Sequence, residues 1–248
     1  MEKFIVHGIG KSVLRDFKDP KKVISFVDAQ DLSVESSSSK EDITGGNKLF
    51  PIASFKQDQS LACSLTNATF DVGLMEYLDG ADVKQGEVVK MTDIMEVAIP
   101  EDGKVVLNNT PVENSIVVNG FEKGDAAAAG TYSVTENTIT FATDDAGKTV
   151  AIVYEYESGA NAVEYSISQA SMSKPFIFET VFPVYDEDTQ IKYNCMLKIF
   201  KAQCTSGFKL NLQHRAPFAP QIEFEARDAK RPDGKLWTLV VDTPAAKA

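Results

Sequence analysis

The chain has 248 residues, with 36 Asp and Glu against 25 Lys and Arg, and its formal net charge is −11. This balance argues against tight binding of nucleic acid, which requires clustered cations that displace the counterions of phosphate groups. The length fits one large all-β domain, or one domain with a smaller insertion, and no stretch approaches the roughly 20 consecutive apolar residues of a membrane-spanning helix.

The first predicted elements are two strands separated by a loop. Residues 23–34 alternate loosely between apolar and polar side chains, which predicts a strand. Residues 35–48, ESSSSKEDITGGNK, are rich in Ser and Gly and predict a long exposed loop. Residues 52–66 predict a second strand with Leu61 and Leu65 on one face. The other face is small and mostly polar: Ser60, Ala62, Ser64 and Thr66.

A helical pattern follows. Apolar residues recur at intervals of three and four between residues 70 and 78, Thr69 or Asp71 can cap the start, and Asp79-Gly80 can close the end. A glycine in the middle of this helix costs about 1 kcal/mol relative to Ala. We therefore expect packing against a sheet to hold the helix.

The remaining chain is strand-rich. Residues 97–158 predict a separate insertion, opened by a Pro-Glu-Asp-Gly turn, and residues 1–96 and 159–248 predict one body on either side of it. In the insertion, strands are predicted at residues 104–107, 115–118, 132–134, 138–141 and 150–156. After it, strands are predicted at residues 163–169, 176–185, 191–203, 208–213, 222–227 and 236–241. In the last of these, Trp237 alternates with Leu239, which is typical of a strand buried on both faces.

The cysteines and the N-terminus indicate where the chain folds. Three cysteines are scattered through apolar alternating segments, so we expect buried free thiols rather than disulfides: Cys63, Cys195 and Cys204. Residues 1–17 lack the continuous apolar core of a signal peptide. Both observations favour folding in the cytoplasm.

Motifs for nucleotide and metal binding are weak. The string GIGKS at residues 8–12 ends like a phosphate-binding loop, but that loop needs a glycine where this chain has Ile5. His7 and His214 lie beside no cysteine or carboxylate cluster at ligand spacing. The acidic runs at residues 144–145 and 186–188 are expected to be solvated turns. We expect no metal and no cofactor.

Catalytic residues are also sparse. Glu223 and Glu225 lie on one face of a predicted strand, an arrangement that some retaining glycosidases use. Such enzymes line their clefts with aromatic side chains, and this chain has a single tryptophan. We expect no enzymatic activity.

Several segments resemble the tail tube protein of tailed bacteriophages. The first is the early strand, the loop that ends in GGNKLFP at residues 45–51, the alternating strand and the short helix. The second is the run MLKIFKA at 196–202 with GFKLNL at 207–212, followed by IEFEA at 222–226 and a closing strand. The resemblance covers residues 1–96 and about the last 85 residues, and it lies in the order of elements.

The resemblance implies a mainly β fold: a β-sandwich or partly closed barrel with one short flanking α-helix and long hairpins, plus a small β-sandwich-like insertion. It implies a structural virion protein that polymerises as stacked hexameric rings, in which hairpins join edge to edge into one β-barrel. The lumen of this tube conducts DNA without tight binding. Implied partners are other copies, a sheath or terminator protein, the baseplate and the tape measure protein. The protein would be assembled in the cytoplasm of an infected bacterium, without membrane contact.

Two groups of residues follow as site candidates. The predicted loop is a candidate for contacts between subunits and for ring stacking, and we expect it to order on assembly: Ser36, Lys40, Asp42, Gly45, Gly46, Asn47, Phe50 and Pro51. A strand face that is small and polar has no apolar reason to be covered, so three residues are candidates for facing the lumen: Ser60, Ser64 and Thr66. The acidic balance of the chain favours a polar to acidic lumen that does not retain phosphates.

Other functions stay open at this level. One alternative is another virion structural protein, for capsid decoration or head-tail completion. A second is a carbohydrate-binding or adhesive β-module, because residues 97–158 resemble an immunoglobulin-like domain. In the tube interpretation we expect this insertion to project outward, since its turns are polar and its mass would block the channel.

Overall fold

The computed structural model describes residues 3–46, 50–215 and 218–243. The chain divides into two compact units: unit 1 comprises Met1–Val83 and Tyr165–Ala248, and unit 2 comprises Lys84–Glu164. Strands dominate both units, and none of their sheets closes into a barrel in the described part of the chain. The prediction of a mainly β fold with one short helix is therefore confirmed.

The elements follow in chain order. The first half contains β1 (Phe4–Val6), β2 (Lys11–Asp16), β3 (Val23–Phe26), β4 (Ala29–Ile43), β5 (Ala53–Asn67), a 3₁₀ turn (Val72–Leu74), α1 (Met75–Leu78), β6 (Asp82–Gln85), β7 (Lys90–Ala98), β8 (Lys104–Val106) and β9 (Val117–Val118). The second half contains β10 (Glu122–Lys123), β11 (Thr131–Thr135), β12 (Thr138–Phe141), a 3₁₀ turn (Thr143–Asp145), β13 (Thr149–Glu157), β14 (Val163–Ser166), β15 (Phe176–Asp186), β16 (Lys192–Cys204), β17 (Gln221–Ala226) and β18 (Trp237–Asp242).

Unit 1 is built on a nine-stranded antiparallel sheet. The strand order is β3-β2-β15-β16-β17-β5-β4, with β1 alongside β15 and β18 alongside β16. Strands β17 and β18 pair with different parts of the same edge of β16, at residues 202–204 and 194–199 respectively. The sheet therefore splits beyond β16, so that β5 and β4 continue from β17 while β18 remains an edge strand.

Alternating apolar residues place the core of unit 1 on one face of this sheet. Phe224 packs against Phe176 and Phe178, with ring centroids 5.4 and 4.8 Å apart. The helix covers this face with three buried side chains: Leu74, Tyr77 and Leu78. Ser12 and Thr180 are buried and satisfy each other through a hydroxyl–hydroxyl hydrogen bond of 2.9 Å.

The helix is shorter than the periodicity predicts. Asp71 caps the first turn, as expected, by accepting a hydrogen bond from the Gly73 N–H at 2.8 Å. The first turn is 3₁₀, and α1 adds only four residues before the chain turns at Gly80. Gly80 has a φ of +69°, and a Cβ there would lie 2.0 Å from the Met172 carbonyl oxygen, so only glycine fits. Close packing of this turn ends the helix.

Glu76 anchors the helix through two lysines. Its carboxylate accepts hydrogen bonds from Lys174 at 2.7 Å and from Lys22. Burial alone would raise the pKa of Glu76, but the two lysines outweigh burial and lower the pKa. We expect Glu76→Gln to lower the free energy of unfolding at pH 7 by about 1–2 kcal/mol, because both lysines are half exposed. Thermal unfolding should show a decrease of about 2–8 °C in Tm.

Stability measured at low pH provides the control for this prediction. A carboxylate with a lowered folded-state pKa stabilises the fold above its unfolded-state pKa, and this contribution is lost as the pH falls through the folded-state value. Wild type and Glu76→Gln should therefore converge in acid. Glu187→Gln, which removes an exposed ion pair with Lys3, should change stability by less than about 0.5 kcal/mol. Equal Tm values for wild type and Glu76→Gln at pH 7 would contradict the anchoring role.

The prediction of a long loop at residues 35–48 is wrong over most of its length. Strand β4 continues to Ile43 and pairs with β5 along its whole length, so the connection between the two strands is confined to residues 44–52. The Ser-rich composition suggested a loop because the segment has no apolar face. Its backbone groups are nevertheless paired with β5, and this pairing is invisible in local composition.

Two predictions near the C-terminus are also wrong. Residues 208–213 do not form a strand; Phe208 instead packs its ring on Phe70, with centroids 5.2 Å apart, and its N–H donates to Asp79 at 2.9 Å. Trp237 is not buried, because β18 is an edge strand that leaves it 40% exposed.

Unit 2 is a small β-sandwich with its own core. One sheet has the order β10-β11-β12-β8 and the other has the order β7-β13-β9. Side chains from both sheets form one buried cluster around Ile139, Ile152 and Tyr154.

The prediction of a solvated turn at Asp145 is wrong, because this residue is buried. Lys148 at 2.6 Å and the Gly130 N–H at 3.0 Å donate hydrogen bonds to its carboxylate and lower its pKa. All five aromatic residues of unit 2 are buried or half-buried, so it presents no exposed aromatic platform for carbohydrate.

Candidate assembly surfaces of unit 1

The hairpin of β4 and β5 is the longest element of the chain. Each strand has 15 residues, which corresponds to about 50 Å of extended chain. The half nearest the turn, residues 36–43 and 53–60, is called the arm. Almost every residue of the arm is exposed, on both faces of the hairpin.

Both edges of the arm lack a strand partner in the described ranges. Strand β4 is the last strand of the sheet, and β17 pairs only with residues 62–66 of β5. A two-stranded ribbon of this length is marginally stable by itself in water. The arm therefore presents two rows of backbone donors and acceptors that are available to other chains.

Cross-strand side-chain contacts hold the arm together. Ser37 and Ser60 share a hydrogen bond of 2.7 Å. Asp42 accepts a hydrogen bond from Ser54, which together with nearby Lys40 lowers the pKa of Asp42. A β-bulge at Asp58, where φ is +34°, shifts the register between the inner and outer parts of the arm.

Below the bulge, one face of the hairpin is small and polar. Residues that pair directly across two strands point to the same face of the sheet. The face of β5 that carries Ser60, Ser64 and Thr66 therefore continues across β4 and β17. This surface, called the polar face, consists of Asp31, Ser33, Glu35, Ser37, Ser60, Ala62, Ser64, Thr66, Gln221, Glu223 and Glu225. Ser64 accepts a hydrogen bond from Gln221 at 2.8 Å. The three glutamates of the polar face outnumber the two flanking cations, Lys209 and Arg227.

The end of the arm is apolar instead. Four large apolar side chains, called the tip cluster, are exposed there: Ile43 (48%), Phe50 (81%), Ile52 (62%) and Phe55 (57%). The Ile52 N–H donates to the Ile43 carbonyl at 2.7 Å and closes the ladder next to the turn. Four exposed apolar side chains on one projecting hairpin are unusual for a surface that remains in water.

A second apolar surface lies at the root of the arm. A groove of about 380 Å³ opens between β5 and β18, where the sheet splits. Trp237 and Leu239 of β18 remain 40% and 54% exposed in it. The groove is lined without any charged side chain, by Val6, Gly8, Ile9, Leu32, Val34, Ser36, Leu61, Phe182, Leu197, Trp237 and Leu239.

The structure brings most of the predicted site residues onto this hairpin. Lys40 and Asp42 lie on the arm, Ser36 lies at its root in the groove, and Gly45, Gly46, Phe50 and Pro51 lie at the turn. Asn47 lies outside the described residues. Ser60, Ser64 and Thr66 share one face of β5. Sequence reasoning missed the groove, because its lining comes from six strands in separate parts of the chain.

The string GIGKS forms a tight turn. Gly10 has a φ of +77°, and a Cβ there would lie 2.0 Å from the Val181 carbonyl oxygen, so glycine is required for packing. Ser12 is fully buried against Thr180 and cannot reach a metal–phosphate group. This segment connects β1 to β2, and its glycines have a structural role.

Clusters of metal ligands and exposed thiols are both absent from the described residues. Throughout the described ranges, no three His, Cys, Asp or Glu side chains lie close enough together to hold a metal ion. The three cysteines are free and buried, as predicted, and burial raises the pKa of Cys63 and Cys204 to about 12. No described helix is long and apolar enough to cross a membrane.

Comparisons with known proteins agree with these features. A family model described as the YomU/Tube protein family matches residues 4–236. A tail tube protein of Bacillus phage SPR is 26% identical over 216 residues, which cover 84% of the chain and 78% of the phage protein. The family match begins at β1 and ends just before β18, so it includes the arm, the polar face and all of unit 2.

Proposed function

Because the chain belongs to the YomU/Tube protein family, we propose that it polymerises as stacked hexameric rings into the tail tube of a phage virion. The family and the phage relative make the chain a structural tail tube protein and not an enzyme. In the proposed assembly, the tube is a conduit through which DNA passes to the host.

The arm is the observation that carries this proposal. Unpaired strand edges are an aggregation hazard, and proteins normally shorten or cover them. Here a hairpin of two 15-residue strands leaves both edges of its outer half unpaired among the described residues. Pairing with the strands of two neighbouring copies would satisfy these edges, and a ring of such hairpins closes into a barrel without edges.

The polar face supports the assignment of the lumen. The helix and the aromatic core cover the opposite face of the sheet, so the polar face is the one left for water. Ser60, Ser64 and Thr66 would face the lumen beside Glu35 and the glutamates of β17. A wall of this kind offers phosphates neither cation clusters nor aromatic rings, so DNA can slide without being retained.

The tube would enclose the tape measure protein, contact a sheath or terminator protein, and join the baseplate. DNA would pass through without a lasting complex. Assembly would take place in the cytoplasm of the infected bacterium, and the product would be part of the virion tail.

Electron microscopy of the purified protein tests this proposal. We expect hexameric rings or stacked tubes, and a map with resolved side chains should place Ser60, Ser64 and Thr66 along the lumen. Rings are expected because the unpaired edges of the arms pair with those of neighbouring copies. A protein that remains monomeric at every concentration and salt condition would contradict ring assembly. A continuous Lys and Arg lining of the lumen would contradict the proposed wall.

A further inference from the structure

We propose that the tip cluster of one copy binds in the apolar groove of a copy in the next ring. This inference rests on the proposed function, since it names the contact by which rings stack. The occupant is thus a second copy of this chain, and the receiving residues centre on Trp237 and Leu239.

The groove requires an uncharged, apolar occupant. Its lining contains no charged side chain, and Trp237 and Leu239 together form an exposed apolar wall on an edge strand. A volume of about 380 Å³ lies in the range of small-molecule pockets, about 300–1,000 Å³, and so leaves room for an aromatic side chain. Phe50 and Phe55 of the tip cluster match this chemistry, and aromatic pairs gain more than their buried area alone.

The tip cluster of the same copy cannot fill the groove. Ser36 and Leu61, at the root of the arm, are part of the groove wall, whereas Ile43 lies seven residues further along β4. Seven residues of paired strand hold the tip about 23 Å from the root. Only another copy can bring a tip cluster to this groove.

The position of the two surfaces gives the contact a direction. One lies at the root of the arm and the other at its end, so a tip in a groove joins copies head to tail along the arm. The two surfaces are different, which makes the contact heterologous, and a heterologous contact that does not close on itself grows without limit. Each copy has one tip and one groove, so every ring added offers a new set of grooves.

Trp237 is a built-in reporter, because it is the only tryptophan of the chain. Stacking of wild-type rings should shift its emission to shorter wavelength and reduce its quenching by acrylamide severalfold. Phe50→Ser with Ile52→Ser should still form single rings, with Trp237 as quenchable as in the free subunit. Tubes longer than two rings should fall at least about tenfold, since buried aromatic anchors dominate such contacts.

A mixing experiment tests the heterologous contact. Rings of the tip variant keep intact grooves, and rings of Leu239→Lys keep intact tips. Each should fail to stack alone, and the two sets of preformed rings, once mixed, should give stacks of two rings and no longer tubes. Ile94→Ser, an exposed apolar substitution in unit 2, is the matched control and should stack as wild type does.

The failures of the two proposals are distinguishable. Wild-type tubes in which Trp237 stays fully quenchable, or a tip variant that stacks normally, would overturn the tip-in-groove contact while ring assembly stands. Loss of the rings themselves in Leu239→Lys would also overturn it, because the groove would then belong to contacts within a ring. Absence of any ring from the wild type would overturn the proposed function, and the stacking contact with it.

Discussion

Replacing residues 37–60 with an Asn-Gly turn is expected to abolish polymerisation and leave a folded monomer. The first buried side chain of this hairpin is Leu61, so the deleted segment contributes nothing to the core. Ser36 and Leu61 are direct partners in the hairpin, and a two-residue turn can join them. The deletion removes both unpaired edges and the tip cluster together.

Light scattering and circular dichroism measure this outcome. The variant should have the mass of one subunit under conditions where the wild type forms rings or tubes, and it should keep its strand signal and a cooperative unfolding transition. Replacing only residues 44–52 is the matched control. It leaves the paired arm in place, so rings should persist while stacking is lost. Tubes formed by the arm-less variant would show that edge pairing of the arm is not the basis of assembly.

Alternation of apolar residues predicted the paired strands of the core well. The prediction at residues 138–141 coincides with β12, and the predictions for β15, β16 and β17 differ from the structure by at most one residue at either end. These strands have one buried face, so apolar and polar residues alternate along their sequences. Asp71 capping and the buried thiols were predictable for the same reason, since each depends on local residues.

Elements without a buried face were not predictable in this way. The outer part of β4 is a strand because β5 satisfies its backbone, and both faces of the arm are polar or exposed. Trp237 shows the converse, because its alternating neighbours predict a strand correctly but do not reveal that this strand lies at an edge. The apolar groove depends on the split between β17 and β18, which is a property of the sheet topology and not of any one segment.

Most of the net negative charge lies on unit 2, whereas the composition had suggested an acidic lumen. Unit 2 contains fourteen Asp and Glu against five Lys, a formal charge of −9, which leaves −2 for unit 1. The arm, the polar face and the groove all belong to unit 1. The acidic balance of the whole chain is therefore no argument about the lumen, and that argument rests on the polar face alone.

Deleting residues 84–164 is expected to leave polymerisation intact and to remove most of its dependence on salt. Unit 2 has its own core, and the strands that lead into and out of it, β6 and β14, pair with each other, so a short Gly-Ser turn can join them. Copies that each carry −9 on this unit repel one another when they come together in a ring. Salt screens that repulsion, with a Debye length of about 8 Å at 0.15 M.

Turbidity and electron microscopy across a salt series measure this effect. Wild-type assembly should be slow at low ionic strength and accelerate with salt, whereas the deletion variant should assemble almost equally well throughout. Neutralising three exposed glutamates of unit 2 that form no ion pair, Glu101, Glu122 and Glu136, to Gln in the full chain should give an intermediate salt dependence. Because the family match runs through unit 2, the opposite result is informative. A folded deletion variant that stays monomeric where the wild type forms tubes would assign unit 2 to the contacts between subunits.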